Sequence, residues 1–197
     1  GGGGGGRMAI TYTSKPYTGT ISAYGGTGGN NAGAGTIFLK AGAANGDLIV
    51  DNNNVTGGVT TQVAATSLTL DNVTIKNAAG YTIPSGATLN VATAFTGFTT
   101  NASLTNNGTL SLPATSTLTN VILYQNGTIS TLTDLTVGSG TTIEFQNTTS
   151  ATAFSLTNLT IQSGGTINHK ANVCTTILNL SISNNLLVDA GGTINVN

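Results

Sequence analysis

Charged residues are scarce in this chain, and their scarcity narrows the range of possible functions. Asp, Glu, Lys and Arg make up 6% of the 197 residues, and the formal net charge at pH 7 is −1. Typical soluble domains carry roughly a quarter charged residues. Nucleic-acid binding requires patches of Lys and Arg that contact phosphates, so we predict no nucleic-acid partner. No apolar run approaches the roughly 20 residues that span a bilayer, so we also predict no membrane insertion.

The residue types that build catalytic and metal sites are also few. The chain has one cysteine (Cys174), one histidine (His169) and one arginine (Arg7). This excludes an internal disulfide and leaves no His and Cys set for a metal site and no second histidine for a catalytic triad. A polysaccharide lyase would need clustered carboxylates, often with calcium, and an Arg or Lys base. Among the six acids, only Asp47 and Asp51 share a strand face. We therefore predict that the protein is not an enzyme and has no cofactor.

The sequence contains one candidate calcium-binding segment. The run Asp51-Asn52-Asn53-Asn54 could bind it through side-chain oxygens. The run lacks the Gly/Asp repeat of calcium-binding nonapeptides. A turn built from Asx side chains is the better interpretation, so bound calcium is possible but unsupported.

What the chain has in abundance is Thr (38 residues), Gly (28) and Asn (23). Thr, together with Val and Ile, favours strands, and no segment combines helical periodicity with capping residues. Glycine density divides the chain, because residues 1–46 hold 15 glycines and residues 47–197 hold the other 13. We expect residues 1–46 to be a glycine-rich β segment that forms the first coils of one solenoid, and residues 47–197 to be its repeats. A bare glycine run at the start and a strand-like ending at 192–197 suggest a fragment of a longer chain.

The repeat has two halves. One half is Asn or Asp, an aliphatic residue, usually a hydroxyl residue and another aliphatic residue, as in Asn72-Val73-Thr74-Ile75, Asp134-Leu135-Thr136-Val137, Asn158-Leu159-Thr160-Ile161 and Asn179-Leu180-Ser181-Ile182. The other half is Gly-Thr-Ile/Leu, as in Gly127-Thr128-Ile129, Gly165-Thr166-Ile167 and Gly192-Thr193-Ile194. Equivalent positions, such as Leu135 and Leu159 or Leu159 and Leu180, recur at a spacing of about 21 to 24 residues, within the range of structural repeats.

A period of this length with strands and turns but no helix predicts an all-β fold, a right-handed parallel β-helix (β-solenoid) with irregular coils of about 19–27 residues. Aliphatic side chains would point inward, with Leu178, Leu180 and Ile182 stacked on Leu156, Leu159 and Ile161. A β-sandwich also has many short strands, but it usually lacks such a period.

Asn side chains at one corner of successive coils can form a hydrogen-bonded ladder. We predict this structural Asn/Asp ladder at Asn72, Asn120, Asp134, Asn158 and Asn179. Asn-x-Ser/Thr sequons occur close to their chance frequency, and the possible glycosylation sites outside the ladder are Asn54, Asn101, Asn107, Asn126 and Asn147.

With these repeats, the chain resembles the β-helical stalk segments of large secreted bacterial or archaeal adhesin-like surface proteins. Its first region is similar to a glycine-rich module of giant cell-surface proteins, in the segments GGGGGGRMA (1–9), GTISAYGGTGG (19–29) and GAGTIFLK (33–40). The resemblance implies an extracellular or cell-surface location and an elongated spacer or filament element.

The sequence leads to two main hypotheses for the function and to a third that is less favoured. The leading hypothesis is a structural stalk, sheath or self-assembling filament module. No polar cap is evident at either terminus, so we expect further coils or end-to-end self-association. The second is an adhesin that binds surface glycans by stacking sugars on Tyr12, Tyr17, Tyr24, Tyr81 or Tyr124. A polysaccharide-lyase-like enzyme is the third.

Overall fold

The computed structural model describes residues 1–16, 18–56, 60–96, 101–146, 153–170 and 177–196. Within these ranges the chain is all-β without a helix, and its stacked parallel strands form a β-solenoid of about six turns. The predicted fold class is confirmed. The strands are β1 (Arg7–Tyr12), β2 (Thr36–Ala41), β3 (Asp47–Asp51), β4 (Thr61–Gln62), β5 (Ser67–Lys76), β6 (Gly80–Ile83), β7 (Thr88–Thr96), β8 (Ser103–Asn106), β9 (Thr109–Ser111), β10 (Thr115–Leu118), β11 (Ile122–Gln125), β12 (Thr128–Ser130), β13 (Asp134–Val137), β14 (Thr142–Phe145), β15 (Phe154–Ile161), β16 (Thr166–His169), β17 (Leu180–Val188) and β18 (Thr193–Asn195).

The strands form three sheets. Sheet 1 has the order β1-β2-β3-β5-β7-β9-β12, sheet 2 has β4-β6-β8-β11-β14-β16-β18, and sheet 3 has β10-β13-β15-β17. Successive coils visit the sheets in turn, so each strand pairs with its equivalent one coil away. Coil length varies along the solenoid: one of the shortest coils leads from Thr109 to its partner Thr128, and a much longer one leads from Asn158 to its partner Asn185. The coils are therefore irregular in length, as the sequence predicts.

The core consists of columns, meaning equivalent side chains of successive coils stacked along the solenoid axis. In sheet 3, Leu135 aligns with Leu159; in sheet 2, Ile143 aligns with Ile167. Leu159, Ile143 and Ile167 are completely buried. Strand residues alternate between the core and the outer surface, which is why an aliphatic residue at every second position suffices to build the columns.

The last coil has a different register from the one expected. Leu186, and not Leu180, aligns with Leu159, while Leu180 aligns with Phe154 and Ile182 with Leu156. A register shift between Leu156 and Asn158 places one extra residue in β17. This coil is thus longer than the spacing between Leu159 and Leu180, and the expectation that these two leucines stack on each other was wrong.

The glycine-rich segment departs from a simple continuation of the coils. β1 and β2 are parallel, with Arg7 opposite Thr36, but β2 is antiparallel to β3. A hairpin makes this reversal, and Gly42 and Gly46 in its loop have φ of 50° and 99°, which favour glycine. This reversal separates β1 and β2 from the parallel stack that begins at β3. That residues 1–46 form the first coils of the same solenoid stays a prediction.

Upstream of β1 and β2, the glycine-rich backbone packs on itself. The Gly2 N–H donates to the Asn30 carbonyl at 2.9 Å, and the Gly5 N–H donates to Gly33 at 3.0 Å. The two donors lie three residues apart, as do their two acceptors, Asn30 and Gly33. A β-carbon on Gly2 would lie 2.0 Å from the Gly26 carbonyl oxygen, so the close approach of the segments requires glycine there.

Candidate functional site

A polar column on the outer face of sheet 3 connects successive coils. The side-chain Nδ2 of Asn158 donates to Asp134 Oδ1 at 2.5 Å, and Asn184 Nδ2 donates to Asn158 Oδ1 at 2.8 Å. Thr115 Oγ1 donates to Asp134 Oδ2 at 3.3 Å in the preceding coil. The strands place Thr115, Asp134 and Asn158 in register, one coil apart, while Asn184 lies next to Asn185, the register partner of Asn158.

The five predicted ladder residues do not form one column. Asp134 and Asn158 are neighbours, whereas Asn72 lies in sheet 1 and donates its Nδ2 to Asp47 Oδ1 at 2.7 Å. Asn179 precedes β17, and its backbone carbonyl accepts from the Phe154 N–H at 2.8 Å. The coil that ends in β17 is longer than expected, so Asn185 aligns with Asn158, and the adjacent Asn184 donates the hydrogen bond predicted for Asn179.

Asn120 belongs to a different column, at the corner that follows sheet 3. Asn120, Gly140, Gly164 and Gly191 all have positive φ, of 54°, 70°, 78° and 86°. The Gly140 N–H donates to the Gly164 carbonyl at 3.1 Å, and the Gly164 N–H donates to Gly191 at 2.9 Å. Asn tolerates this left-handed conformation better than most non-glycine residues, so Asn120 is a corner residue.

A pair of buried amides is the feature that sequence analysis missed. Asn106 and Gln125 point into the core, and the Asn106 Nδ2 donates to Gln125 Oε1 at 3.0 Å and to the Thr128 carbonyl at 2.9 Å. The alternation Leu104-Thr105-Asn106 could have revealed it, because Asn106 occupies the inward position after Leu104. Asn106 Oδ1 and Asn168 Oδ1 are the buried side-chain oxygens without a hydrogen-bond partner among the described residues.

Two acidic side chains, Asp51 and Asp71, are engaged in contacts with residues more than 20 positions away in the sequence. Asp51 accepts from Asn77 Nδ2 at 2.9 Å and forms an ion pair with Lys76 at 3.3 Å. Asp71 accepts from Asn45 Nδ2 at 2.9 Å and from the Gly46 N–H at 3.1 Å. The Gly46 N–H and then the Asn45 amide hold the pKa of Asp71 below its ordinary value. In the described part of the chain, no group of three or more His, Cys, Asp and Glu residues is placed to hold a metal ion.

The run Asp51-Asn52-Asn53-Asn54 forms a hydrogen-bonded turn. Asp51 Oδ1 accepts from the Asn53 N–H at 2.9 Å, and Asn53 and Asn54 have φ of 49° and 60°. Asn52 is buried and joins the glycine-rich segment to the first coil, since its Oδ1 accepts from the Gly25 N–H at 3.0 Å and its Nδ2 donates to the Ala32 carbonyl at 3.3 Å.

The possible glycosylation sites have unequal surroundings. Asn54, Asn101 and Asn107 are exposed. Asn126 is half-buried and donates its Nδ2 to Asn107 Oδ1 at 2.8 Å, one coil away. Asn147 lies outside the described residues.

The tyrosines do not form a common platform. Tyr81 is buried in the core, and this burial raises its pKa to about 12. Tyr124 lies in β11 of the same sheet, in the outward-facing column one position along from the column of Tyr81. Tyr12 is half-buried with the Lys15 Nζ 5.9 Å from its ring centroid, and Tyr24 is half-buried in the glycine-rich segment. Tyr17 lies outside the described residues.

The two ends of the solenoid differ. Exposed large apolar side chains in the described residues are Met8 and, at the end formed by β17 and β18, Ile177, Leu186, Leu187, Val188, Ile194 and Val196. The other end is held under the glycine-rich segment by Asn52 and by Thr61, whose hydroxyl donates to the Ala34 carbonyl.

No protein-family model matches the chain, and neither the curated proteins nor the solved structures show a match. No helix within the described ranges is long and apolar enough to cross a membrane.

Proposed function

We propose that the protein is an extracellular structural module, a β-solenoid element of a cell-surface stalk, sheath or filament. The observation that carries the proposal is the apolar core, whose buried side chains are supplied by strand after strand from Leu48 to Ile167 in the described residues. Repetition of one coil produces a rigid rod whose stability grows with each added coil.

The contacts of the acids favour a structural role over catalysis. Asp47, Asp51 and Asp134 each bind a side chain of a neighbouring coil, namely Asn72, Asn77 and Asn158. A carboxylate that accepts a hydrogen bond from a neighbouring coil stabilises the stack. We propose that the protein works without catalysis, a metal or another cofactor.

Surface labelling tests the location. Immunogold with an antibody against this chain should label intact cells of the source organism as strongly as permeabilised cells. Labelling that requires permeabilisation would contradict the proposal. Protease treatment of intact cells is the matching control, because it should remove the signal while an internal protein stays intact.

A glycan-binding adhesin is the second candidate, and it is favoured by a cleft of about 940 Å³ between the glycine-rich segment and β4. Backbone groups of the glycine tracts and the polar side chains of Asn31, Thr60 and Gln62 line it. Such groups can hydrogen-bond sugar hydroxyls. Binding on a glycan array that is lost in Gln62→Ala and kept in Tyr124→Ala would locate a sugar site in this cleft. Turnover of uronate polymers would instead favour the lyase.

A further inference from the structure

The sequence contains three Asn-Gly steps, and the fold places them in different surroundings. They are Asn45-Gly46, Asn107-Gly108 and Asn126-Gly127. In such a step the backbone nitrogen of the glycine can attack the side-chain amide carbon of the asparagine, since glycine has no side chain to obstruct the approach. The reaction, deamidation, turns the amide into a carboxyl group without an enzyme. Its rate at each step depends on whether the glycine nitrogen is already engaged in a hydrogen bond.

Two of the three glycine nitrogens are engaged. The Gly46 N–H donates to Asp71 Oδ2 at 3.1 Å, and the Gly127 N–H donates to the Asn106 carbonyl at 2.8 Å. The side-chain amide of Asn45 is held as well, because its Nδ2 donates to Asp71 Oδ1 at 2.9 Å. A hydrogen bond must break before either glycine nitrogen can react, so both of these steps are protected.

The Asn107-Gly108 step is unprotected. Among the described residues, neither the Gly108 N–H nor the Asn107 Nδ2 donates a hydrogen bond. The Asn107 side chain is exposed to water. The Asn126 Nδ2 donates to Asn107 Oδ1 at 2.8 Å, which draws electron density away from the carbon that the Gly108 nitrogen would attack. The fold therefore leaves this nucleophile free and polarises its target.

We propose that Asn107 is a site of self-deamidation, with the Gly108 backbone nitrogen as the nucleophile. The Gly108 nitrogen loses its proton to a base in solution and forms a bond to Asn107 Cγ, and Nδ2 takes up a proton and leaves as ammonia. The product is a cyclic succinimide. Water opens the ring in one of two ways: addition at Cγ gives aspartate, and addition at the main-chain carbonyl carbon of Asn107 gives isoaspartate. This inference does not rest on the proposed function.

The two products differ in their effect on the solenoid. Aspartate keeps an acceptor oxygen for the Asn126 Nδ2. Isoaspartate carries the main chain through Cγ and so lengthens the backbone at the corner by a methylene group. This corner is tightly packed, since a β-carbon on Gly108 would lie 2.2 Å from the Ala87 carbonyl oxygen. We therefore expect the isoaspartate form to melt at a lower temperature than the aspartate form.

Peptide mapping by mass spectrometry measures the reaction in the full chain, incubated at mildly alkaline pH. Asn126-Gly127 is the control within the same molecule, because Asn-Gly-Thr is the sequence at both positions. A hydrogen bond of ordinary strength protects Gly127, so Asn107 should react at least about tenfold faster, which corresponds to 1.4 kcal/mol. In the chain unfolded by urea, the two asparagines should react at similar rates, because the local sequence alone then decides.

Asp71→Ala tests whether hydrogen bonding is what protects a step. Asn45 is exposed like Asn107, so exposure alone would allow it to react. The variant removes the acceptor of both the Gly46 N–H and the Asn45 Nδ2. Deamidation at Asn45 should accelerate at least about tenfold, while the rate at Asn107 stays unchanged. Far-UV circular dichroism confirms that the variant folds.

Equal rates at Asn107 and Asn126 in the folded chain, or a faster reaction at Asn126, would overturn the proposal. Retention of the Asn107 amide in the folded chain, over a period in which the unfolded chain converts, would overturn it too, because the corner would then prevent the attack. An unchanged rate at Asn45 in Asp71→Ala would remove hydrogen bonding of the glycine nitrogen as the basis of the assignment.

Discussion

Gly127 lies so close to Gly108 that a β-carbon on Gly127 would stand 2.0 Å from the Gly108 carbonyl oxygen. The two residues occupy the same corner of neighbouring coils, between sheets 2 and 1. Because the obstructing atom is part of the backbone, it cannot move aside as a flexible side chain would. The distance between coils at this corner therefore depends on glycine.

Gly127→Ala should destabilise the protein by roughly 2–3 kcal/mol, the cost of overpacking a site that does not relax. For a chain of this size, the melting temperature should fall by roughly 5–10 °C. Thermal unfolding followed by circular dichroism measures the change. Gly29→Ala is the matched control, since a β-carbon there meets nothing within 4 Å. Equal melting temperatures for the two variants would contradict the proposed corner packing.

Leu159→Ala should lower the free energy of unfolding by about 3–4 kcal/mol, because it removes a completely buried side chain from the middle of a column. Leu187→Ala, at a position that is 46% exposed, should cost under about 1 kcal/mol. Urea unfolding at one temperature gives both values. A similar loss for both leucines would place Leu159 outside the core.

The buried amides should behave as a coupled pair. Asn106→Leu leaves Gln125 Oε1 without its donor, and Gln125→Leu leaves Asn106 Nδ2 without this acceptor, so each should cost about 1–3 kcal/mol. The double variant should cost less than the sum of the two single variants. It removes both amides, so no buried amide is left without the partner that the other had supplied. Unfolding free energies of the four proteins complete the cycle. Strict additivity would exclude the hydrogen bond.

Asn158→Leu should cost about 1 kcal/mol, since Asp134 loses a donor and Asn184 loses an acceptor in the polar column. Asp134→Asn keeps an acceptor oxygen at the same place, and we expect a change within about 0.5 kcal/mol. Urea unfolding compares the two. A larger loss for Asp134→Asn than for Asn158→Leu would show that the charge, and not the hydrogen bond, matters here.

Asp71 gives stability an acid-sensitive component. The pKa of Asp71 lies below its ordinary value of 3.8, because Gly46 and Asn45 donate to the ionised carboxylate. Its contribution is therefore fully present above about pH 4 and is lost as the pH falls through the lowered pKa. Asp71→Asn should show a smaller decrease of the melting temperature between about pH 5 and pH 2 than the unchanged protein. Asn45→Ala, which removes one of the two donors, should be intermediate, and parallel curves for all three proteins would refute the assignment.

Much of the solenoid could be predicted from its sequence, because every second residue of a strand faces the core and is usually apolar. The spacing of Leu135 and Leu159 gave the correct coil length there. The same logic failed at Asn179-Leu180-Ser181-Ile182, which has the motif of the preceding coil but lies earlier in the chain than Asn185-Leu186-Leu187-Val188, the residues that align with that motif. The Gly-Thr-Ile motif predicts the length of this coil correctly. Thr166, after Gly165, aligns with Thr193, after Gly192, and the spacing between these two threonines is the longer one.

The hairpin between β2 and β3 and the contacts of the glycine-rich segment were harder to predict. Asn45-Gly46 is a typical hairpin signal, but the surrounding glycines masked it. Glycine carries no side chain, so its burial leaves no periodic pattern in the sequence. The contacts of Asn52 with Gly25 and Ala32 depend on backbone atoms, which the residue types alone do not reveal.

The corner column of Asn120, Gly140, Gly164 and Gly191 keeps its alignment although each coil between its members is longer than the one before. The extra residues of a longer coil lie between the corners, and at the next corner the residues of neighbouring coils are aligned again. A difference in the length of one coil therefore does not shift the residues of the next coil out of alignment. During evolution, such a protein can gain or lose a few residues in one coil while its neighbours keep their places.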